Sequence, residues 1–238
     1  MHPLGMQATD LFAKQWATYR AVLDHDLMEH QAMSLACGQV LRQVCATAQA
    51  PSLVDLGCGD LGLLAPLLQT LPLGHYTGLD LCAEVLPLAQ AALSQAPFPR
   101  SWLAEDLLSW ANAPQAEAVE VIHSSYAVHH LQQDQDKANW LRGCRRRITP
   151  GGRLIWVDVF RQAGESREAY LARYGRRVEG WSALPAEQRQ AVLAHIQRFD
   201  YPAERGVIED IAQEAGWSWE WAWEGRQGAE AMAVLSPA

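Results

Sequence analysis

Charge is scarce in this 238-residue chain: Asp, Glu, Lys and Arg make up 19% of it, hydrophobic residues 49%, and the formal net charge is −8. An acidic chain lacks the broad electrostatic footprint that holds DNA or RNA phosphates, so no nucleic-acid partner is expected. A cysteine pattern is also missing. Cys37, Cys45, Cys58, Cys82 and Cys144 are scattered, odd in number and without a CxxC pair. That excludes a disulfide framework and a zinc site built on cysteine, and points to reduced thiols in a cytoplasmic setting. Met1-His2-Pro3-Leu4-Gly5 has no basic stretch followed by an apolar core, and no apolar run approaches ~18 residues, so neither export nor a membrane is expected. Repeats, low-complexity tracts and long linkers are absent as well. The apolar content suffices for one sizeable core with an elaboration.

Proline is absent between Pro3 and Pro51. Residues 9–49 accordingly read as one or two helices, with Phe12, Trp16, Tyr19, Val22 and Leu23 near three-and-four spacing and Thr9 or Asp10 as a start. Residues 1–50 form a helical lid in this reading, and 51–160 a core in which strands and helices alternate. Strands are expected at Leu53–Leu56, Tyr76–Leu81, Ser101–Ala104, Val119–Ser124 and Arg153–Phe160. Helices are expected over Leu61–Leu71, Glu84–Leu93 and Lys137–Ile148, and Thr149–Gly152 reads as a turn. Such alternation predicts an α/β fold, a parallel sheet covered on both faces. Residues 161–206 are polar and helical, an insertion over the sheet's carboxyl edge where a substrate would sit. Residues 207–238 supply a last helix and a closing hairpin. In that hairpin Trp217, Trp219, Trp221 and Trp223 alternate, which predicts four indoles on one strand face: a core face packed on a helix, or an aromatic wall for a flat or cationic substrate.

The organising stretch is Leu53-Val54-Asp55-Leu56-Gly57-Cys58-Gly59-Asp60-Leu61-Gly62, a short apolar strand running into a glycine turn. Glycine lets bare backbone N–H groups approach a ligand, so a nucleotide-like cofactor is expected here. Gly57 to Gly62 matches the dinucleotide G-x-G-x-x-G, with Asp80 at about the distance of a ribose-binding acid. Taken alone, that permits an NAD(P) oxidoreductase. Three features oppose it. Asp55 at the strand end disfavours a pyrophosphate and suits an ammonium group. Glu105-Asp106 ends the third strand, placed to accept from an adenine amino group. The sheet closes with a tryptophan hairpin where a second mononucleotide half would stand.

With these stretches together, the chain resembles class I S-adenosylmethionine-dependent methyltransferases. The resemblance is carried by Val54–Gly59, Gly78-Leu79-Asp80, Ala104–Leu107, Ile122–Ser125 and Pro150–Leu154. It implies a doubly wound, Rossmann-like seven-stranded sheet in the order 3-2-1-4-5-7-6, with strand 7 antiparallel. It also implies that Asp55 with Gly57, Cys58 and Gly59 holds the methionine portion of S-adenosylmethionine. Asp80 would bind the ribose with Leu81 beside the adenine, and Asp106 the adenine amino group with Leu107 as flank. His123 and Ser124 would line the methyl-donor end, and Tyr19 would reach in from the lid. S-Adenosylhomocysteine is the implied product.

The acceptor side is read from Tyr126-Ala127-Val128-His129-His130-Leu131. Histidine titrates near neutrality and can take a proton from a hydroxyl or ammonium. The stretch is similar to that of quinone- and phosphoethanolamine-type methyltransferases, which implies that His130, or His129, serves the acceptor with Tyr126 nearby. Ordering of the loop by the histidine pair is the competing reading. No Asn/Asp-Pro-Pro-Tyr run follows the fourth strand and no double-glutamate loop is visible, which disfavours nucleic-acid and protein-arginine acceptors. The expected acceptor is a small molecule methylated on N or O; the tryptophans and the Arg173/Tyr174 region hint at a planar or charged one. His25 and His30, five apart, do not share a helix face, so no metal is expected. A non-catalytic cofactor-binding module remains a further alternative, and the oligomeric state, monomer or homodimer, stays open.

Overall fold

A computed structural model describes residues 16–114 and 117–238. The helix start expected at Thr9 or Asp10, and Phe12, lie outside the described residues. The N-terminal segment is two helices, α1 (Trp16–Asp24) and α2 (His30–Thr47). The core runs β1 (Ser52–Leu56), α3 (Ala65–Leu68), β2 (His75–Asp80), α4 (Leu86–Ala92), β3 (Arg100–Ala104), α5 (Leu107–Asn112), β4 (Val119–Ser125), α6 (Asp134–Arg147) and β5 (Ile148–Arg161). Then come α7 (Arg167–Glu179) and α8 (Ala186–Phe199) of the insertion, β6 (Ala203–Glu204), α9 (Arg205–Glu214), β7 (Trp217–Glu224) and β8 (Glu230–Pro237).

The sheet order is β3-β2-β1-β4-β5-β8-β7. β8 is antiparallel to both neighbours. The two-residue β6 pairs with β5 off this path and shifts the numbering by one, so the order is the one implied by the resemblance. Among the described residues no helix is long and apolar enough to cross a membrane.

Alternation along the strands divides the core. Val54, Leu56, Ile122, Leu154 and Trp156 face one layer with α5, α6 and α9. Leu53, Val121, Ile155 and Val157 face the other, with α2, α3 and α4. This period of two also sends Asp55, His123 and Ser125 to a different face from Ser124. A third cluster joins Val22 of α1 to Tyr170, Tyr174, Val178 and Trp181 of the insertion. α1 therefore packs on the insertion, and Arg177 Nη2 donates to the Leu27 carbonyl at 2.8 Å to hold them together.

Several expectations need correction. The leucine-rich segment 61–71 is helical only over Ala65–Leu68, because Leu61 takes a positive φ of 59° and Pro72 ends the run. Thr149–Gly152 lies within β5 as a bulge, in which Gly151 takes φ 86° and the extra residues are absorbed by a register shift against β4 between Val119 and Val121. Trp217, Trp219 and Trp221 do share a face with Trp156 and α9, but a register shift between Trp221 and Trp223 turns the fourth indole to the opposite layer. None of the four lines the central cleft. Trp217 donates to the Leu141 carbonyl at 3.0 Å and Trp221 to Glu209 at 2.7 Å, so the strand is a packing face. Arg173 is paired with Glu165 at 2.8 Å and Tyr174 donates to Glu230 at 3.0 Å, both away from the cleft.

Candidate active site

A cleft of about 980 Å³ opens at the carboxyl ends of β1 to β4. The strand order reverses between β1 and β4, the place where open α/β sheets bind ligands. The glycine turn forms its floor. Gly57 and Cys58 donate backbone N–H groups to the Leu79 carbonyl at 2.8 and 2.9 Å, which ties the turn to β2. Gly57 has φ 77°, and a Cβ there would stand 2.5 Å from the Ala127 Cβ, so turn and β4 loop touch. Gly59 has φ 56° and open space where a Cβ would be, which leaves its backbone approachable.

Asp80, at the end of β2, accepts from Gly59 N at 2.9 Å through Oδ2 and from Cys82 N at 2.9 Å through Oδ1. Burial raises its pKa against those backbone bonds. A carboxylate has about four lone-pair sites, so two remain for ribose hydroxyls. Asp106 caps α5, accepting from Ser109 N at 2.8 Å through Oδ1. Leu81 and Leu107 line the cleft beside these acids. This end fits S-adenosylmethionine: an open glycine cradle, two acids with capacity to spare and apolar flanks.

Asp55 differs from the expectation. It lines the cleft but is buried, and both oxygens are engaged, Oδ1 with His123 Nδ1 at 2.7 Å and Oδ2 with the Tyr76 hydroxyl at 2.9 Å. Burial works against charge on His123, but the adjoining Asp55 carboxylate overrides it and pushes the pKa up to about 10. Asp55 thus faces the cofactor as half of a buried ion pair. Ser124 needs correction too. Its hydroxyl donates to the Leu56 carbonyl at 2.8 Å on the other side of the sheet, and Ser125 lines the cleft instead. One residue along a strand changes the face.

The far end of the cleft is lined by Tyr126, Ala127, His130, His195, Phe199 and Tyr201. Tyr126 holds φ 53°, a conformation uncommon for a non-glycine residue and typical of positions fixed for function. Its ring meets His30 edge-on at 5.4 Å. His130 stands at the mouth, its side chain 36% exposed, with Nδ1 3.2 Å from the Phe199 carbonyl. Desolvation inside the cleft, then His129 and His195, hold its pKa well below the ordinary range. His129 is corrected: it does not line the cleft but lies behind it, Nδ1 at 2.5 Å from Asp158 Oδ1. Burial opposes its charge, and Asp158 and Asp200 raise its pKa to about 9. From the lid, Tyr19 reaches the cleft, and Arg20 pairs with Asp60 of the glycine turn at 3.1 Å. His195, Phe199 and Tyr201 were not anticipated. The only signal for them was the placement of the insertion over the sheet edge.

Residues 54–154 match the family model of a methyltransferase domain. The trans-aconitate 2-methyltransferase of Azoarcus sp. (strain BH72) is 33% identical over 105 residues, 44% of this chain and 38% of that protein. The match thus spans well under half of that relative. An S-adenosylmethionine-dependent methyltransferase from Clostridium acetobutylicum ATCC 824 has a TM-score of 0.59 at 9% identity, over 87% of this chain and 92% of that one. The N-methyltransferase NodS from Bradyrhizobium japonicum WM9 has 0.52 at 16%, over 84% and 93%. At such identities the two structures speak for the fold alone. The Rossmann-like sheet, with its cleft where the strand order reverses, is a doubly wound α/β fold. Within it, residues 54–154 match a methyltransferase domain, and the chain has the fold of S-adenosylmethionine-dependent methyltransferases.

Proposed function

We propose that the chain transfers a methyl group from S-adenosylmethionine to N or O of a small-molecule acceptor. The observation that carries this reading is one continuous cleft, with the Gly59–Asp80–Asp106 cradle at one end and Tyr126, His130, His195 and Phe199 at the other. When bound, the cofactor supplies a methyl carbon activated by a sulfonium.

The chain then has mainly to align the acceptor, and such alignment can contribute roughly 7–11 kcal/mol. Gly59 N–H is held by Asp80, which fixes the turn. Phe199 and Tyr201 offer flat surfaces to the acceptor, and His130 reaches its polar atom from the mouth. His130, kept neutral by its lowered pKa, accepts the proton of a hydroxyl or ammonium acceptor as the methyl group is transferred. Residues 1–50 and 161–206 act together as a lid, α1 packing on α7 and α8 and closing water out over the glycine turn.

Calorimetric titration with S-adenosylhomocysteine, beside NADH and Asp80→Ala, tests the cofactor. Micromolar binding lost in the variant is expected; binding of NADH alone sinks the reading. Incubation with methyl-labelled S-adenosylmethionine and a panel of small N and O nucleophiles then tests turnover. Cofactor binding with no label transferred to any of them would favour a non-catalytic module.

A further inference from the structure

Behind the acceptor end, groups distant in sequence converge. His129 and His130 come from the turn after β4, His195 from α8, and Asp200 from the end of that helix. Asp200 is buried, and its Oδ1 has no hydrogen-bond partner. That oxygen lies 3.6 Å from His129 Nε2, 4.0 Å from His130 Nδ1 and 3.8 Å from His195 Nε2. These gaps are too long for hydrogen bonds. They are close to the spacing of ligand atoms around a shared ion: bonds of 2.0–2.1 Å to a tetrahedral zinc put neighbouring ligands roughly 3.3 Å apart. Among the described residues, His129, His130 and Asp200 have ligand atoms all within 4.8 Å of one another.

The surroundings are those of a built site. Asp158 holds His129 Nδ1 and leaves Nε2 directed at Asp200, the outer-sphere arrangement that fixes a metal-bound imidazole. Asp158 is itself held at 2.9 Å by both Trp156 Nε1 and Val159 N, and at 3.1 Å by His129 N. The two carboxylates, Asp158 and Asp200, are both buried with His129 between them, and either a protonated His129 or a bound cation supplies the counter-charge that such burial requires. The buried Lys137 nearby directs its ammonium to the Leu131 carbonyl at 2.6 Å.

We propose that His129 Nε2, His130 Nδ1 and Asp200 Oδ1 bind one divalent first-row transition-metal ion of the zinc class, with His195 beside the same carboxylate oxygen. Imidazole and carboxylate donors together select this class over Mg²⁺ or Ca²⁺. On binding, His130 gives up its long contact to the Phe199 carbonyl. Three protein ligands leave a coordination position toward the cleft, as in sites that bind substrate. An acceptor bearing a hydroxyl or carboxylate oxygen would fill it; that role rests on the methyltransferase reading, whereas metal binding does not. The site departs from the expectation of no metal, which weighed only the cysteines and the pair His25 and His30.

The test is direct metal stoichiometry on the full chain, stripped with a chelator, desalted and dialysed against micromolar Zn²⁺, with no cofactor or acceptor present. One zinc per chain is expected. His130→Ala, at the exposed mouth, and Asp200→Asn should each weaken binding by at least ~10-fold, with folding checked by circular dichroism. Co²⁺ in place of zinc should give the visible bands of a low-coordinate nitrogen–oxygen site. A wild-type chain that emerges without zinc, or two folded variants that keep it as tightly, would overturn the site. Zinc binding without methyl transfer would sink only the enzymatic reading; methyl transfer by a chain that takes no zinc would sink only the metal.

Discussion

The two ends of the cleft are made differently. At the cofactor end each group is fixed by a neighbour close in the fold and in the motif: Asp80 holds Gly59 and Cys82, and Asp106 holds Ser109. Four strands of one sheet present these groups together, so their geometry follows from backbone pairing. At the acceptor end the groups come from the turn after β4, from α8 and from the stretch that follows it, joined by side-chain contacts across separate elements. The Tyr201 N–H to the His129 carbonyl, at 2.8 Å, is a backbone bond between them. A scaffold of this kind keeps one ligand constant and lets the other vary, because insertions can change without disturbing the sheet.

The largest effect is expected from Asp55→Asn, at the seam between the ends. Breaking a buried pair by removing one partner costs ~3–5 kcal/mol, to be read by urea unfolding. The pH dependence gives a second reading. The His123 pKa is raised to about 10 in the folded chain, so its contribution is full below the unfolded value of about 6.5 and lost as pH rises through about 10. Wild type should therefore lose stability between pH 7 and 10.5 relative to the variant. Parallel curves would show that the pair is not an ion pair.

Asp80→Ala comes next and bears on the cofactor end alone. It removes ribose acceptors and two backbone hydrogen bonds, and charge-assisted bonds are worth about 1.5–3 kcal/mol each. A loss of roughly 100-fold or more in S-adenosylhomocysteine affinity is expected by calorimetry. Unchanged affinity would leave Asp80 as a turn-holding acid only.

How much of this was legible follows the same division. β1 to β4 and the placement of Gly57, Gly59, Asp80, Leu81, Asp106 and Leu107 could be read because each motif is contiguous and sits at a strand end, and the strand order followed from the family resemblance those motifs carry. His195, Phe199 and Asp200 could not, since their partners His129 and His130 lie far away in sequence and the packing of α7 and α8 decides the meeting. Ser124 failed for a smaller reason: the motif locates a strand to within a residue, and one residue reverses the face. The fourth tryptophan failed similarly, because a bulge is a property of the pair of strands, which one strand's sequence does not show.

Gly57→Ala probes the contact between the ends. The positive φ and a Cβ at 2.5 Å from the Ala127 Cβ together predict a loss of about 1–3 kcal/mol in stability. Adding Ala127→Gly should recover the steric part and leave the backbone part. No recovery would mean that turn and loop separate freely, making the two ends more independent than the structure suggests.

The smallest effect belongs to Arg20→Ala, which removes the 3.1 Å pair between lid and glycine turn. The Arg20 side chain is 40% exposed, so the pair is screened and worth at most ~1 kcal/mol. Global stability should hardly move. If the lid closes over the cofactor, the dissociation rate of S-adenosylhomocysteine should rise up to about fivefold, the equivalent of ~1 kcal/mol. The difference between wild type and variant should shrink at high salt, since an exposed pair is what salt weakens first. A dissociation rate indifferent to both the mutation and the salt would detach α1 from the cofactor end. The lid would then belong to the acceptor half, where Val22 already packs on the insertion.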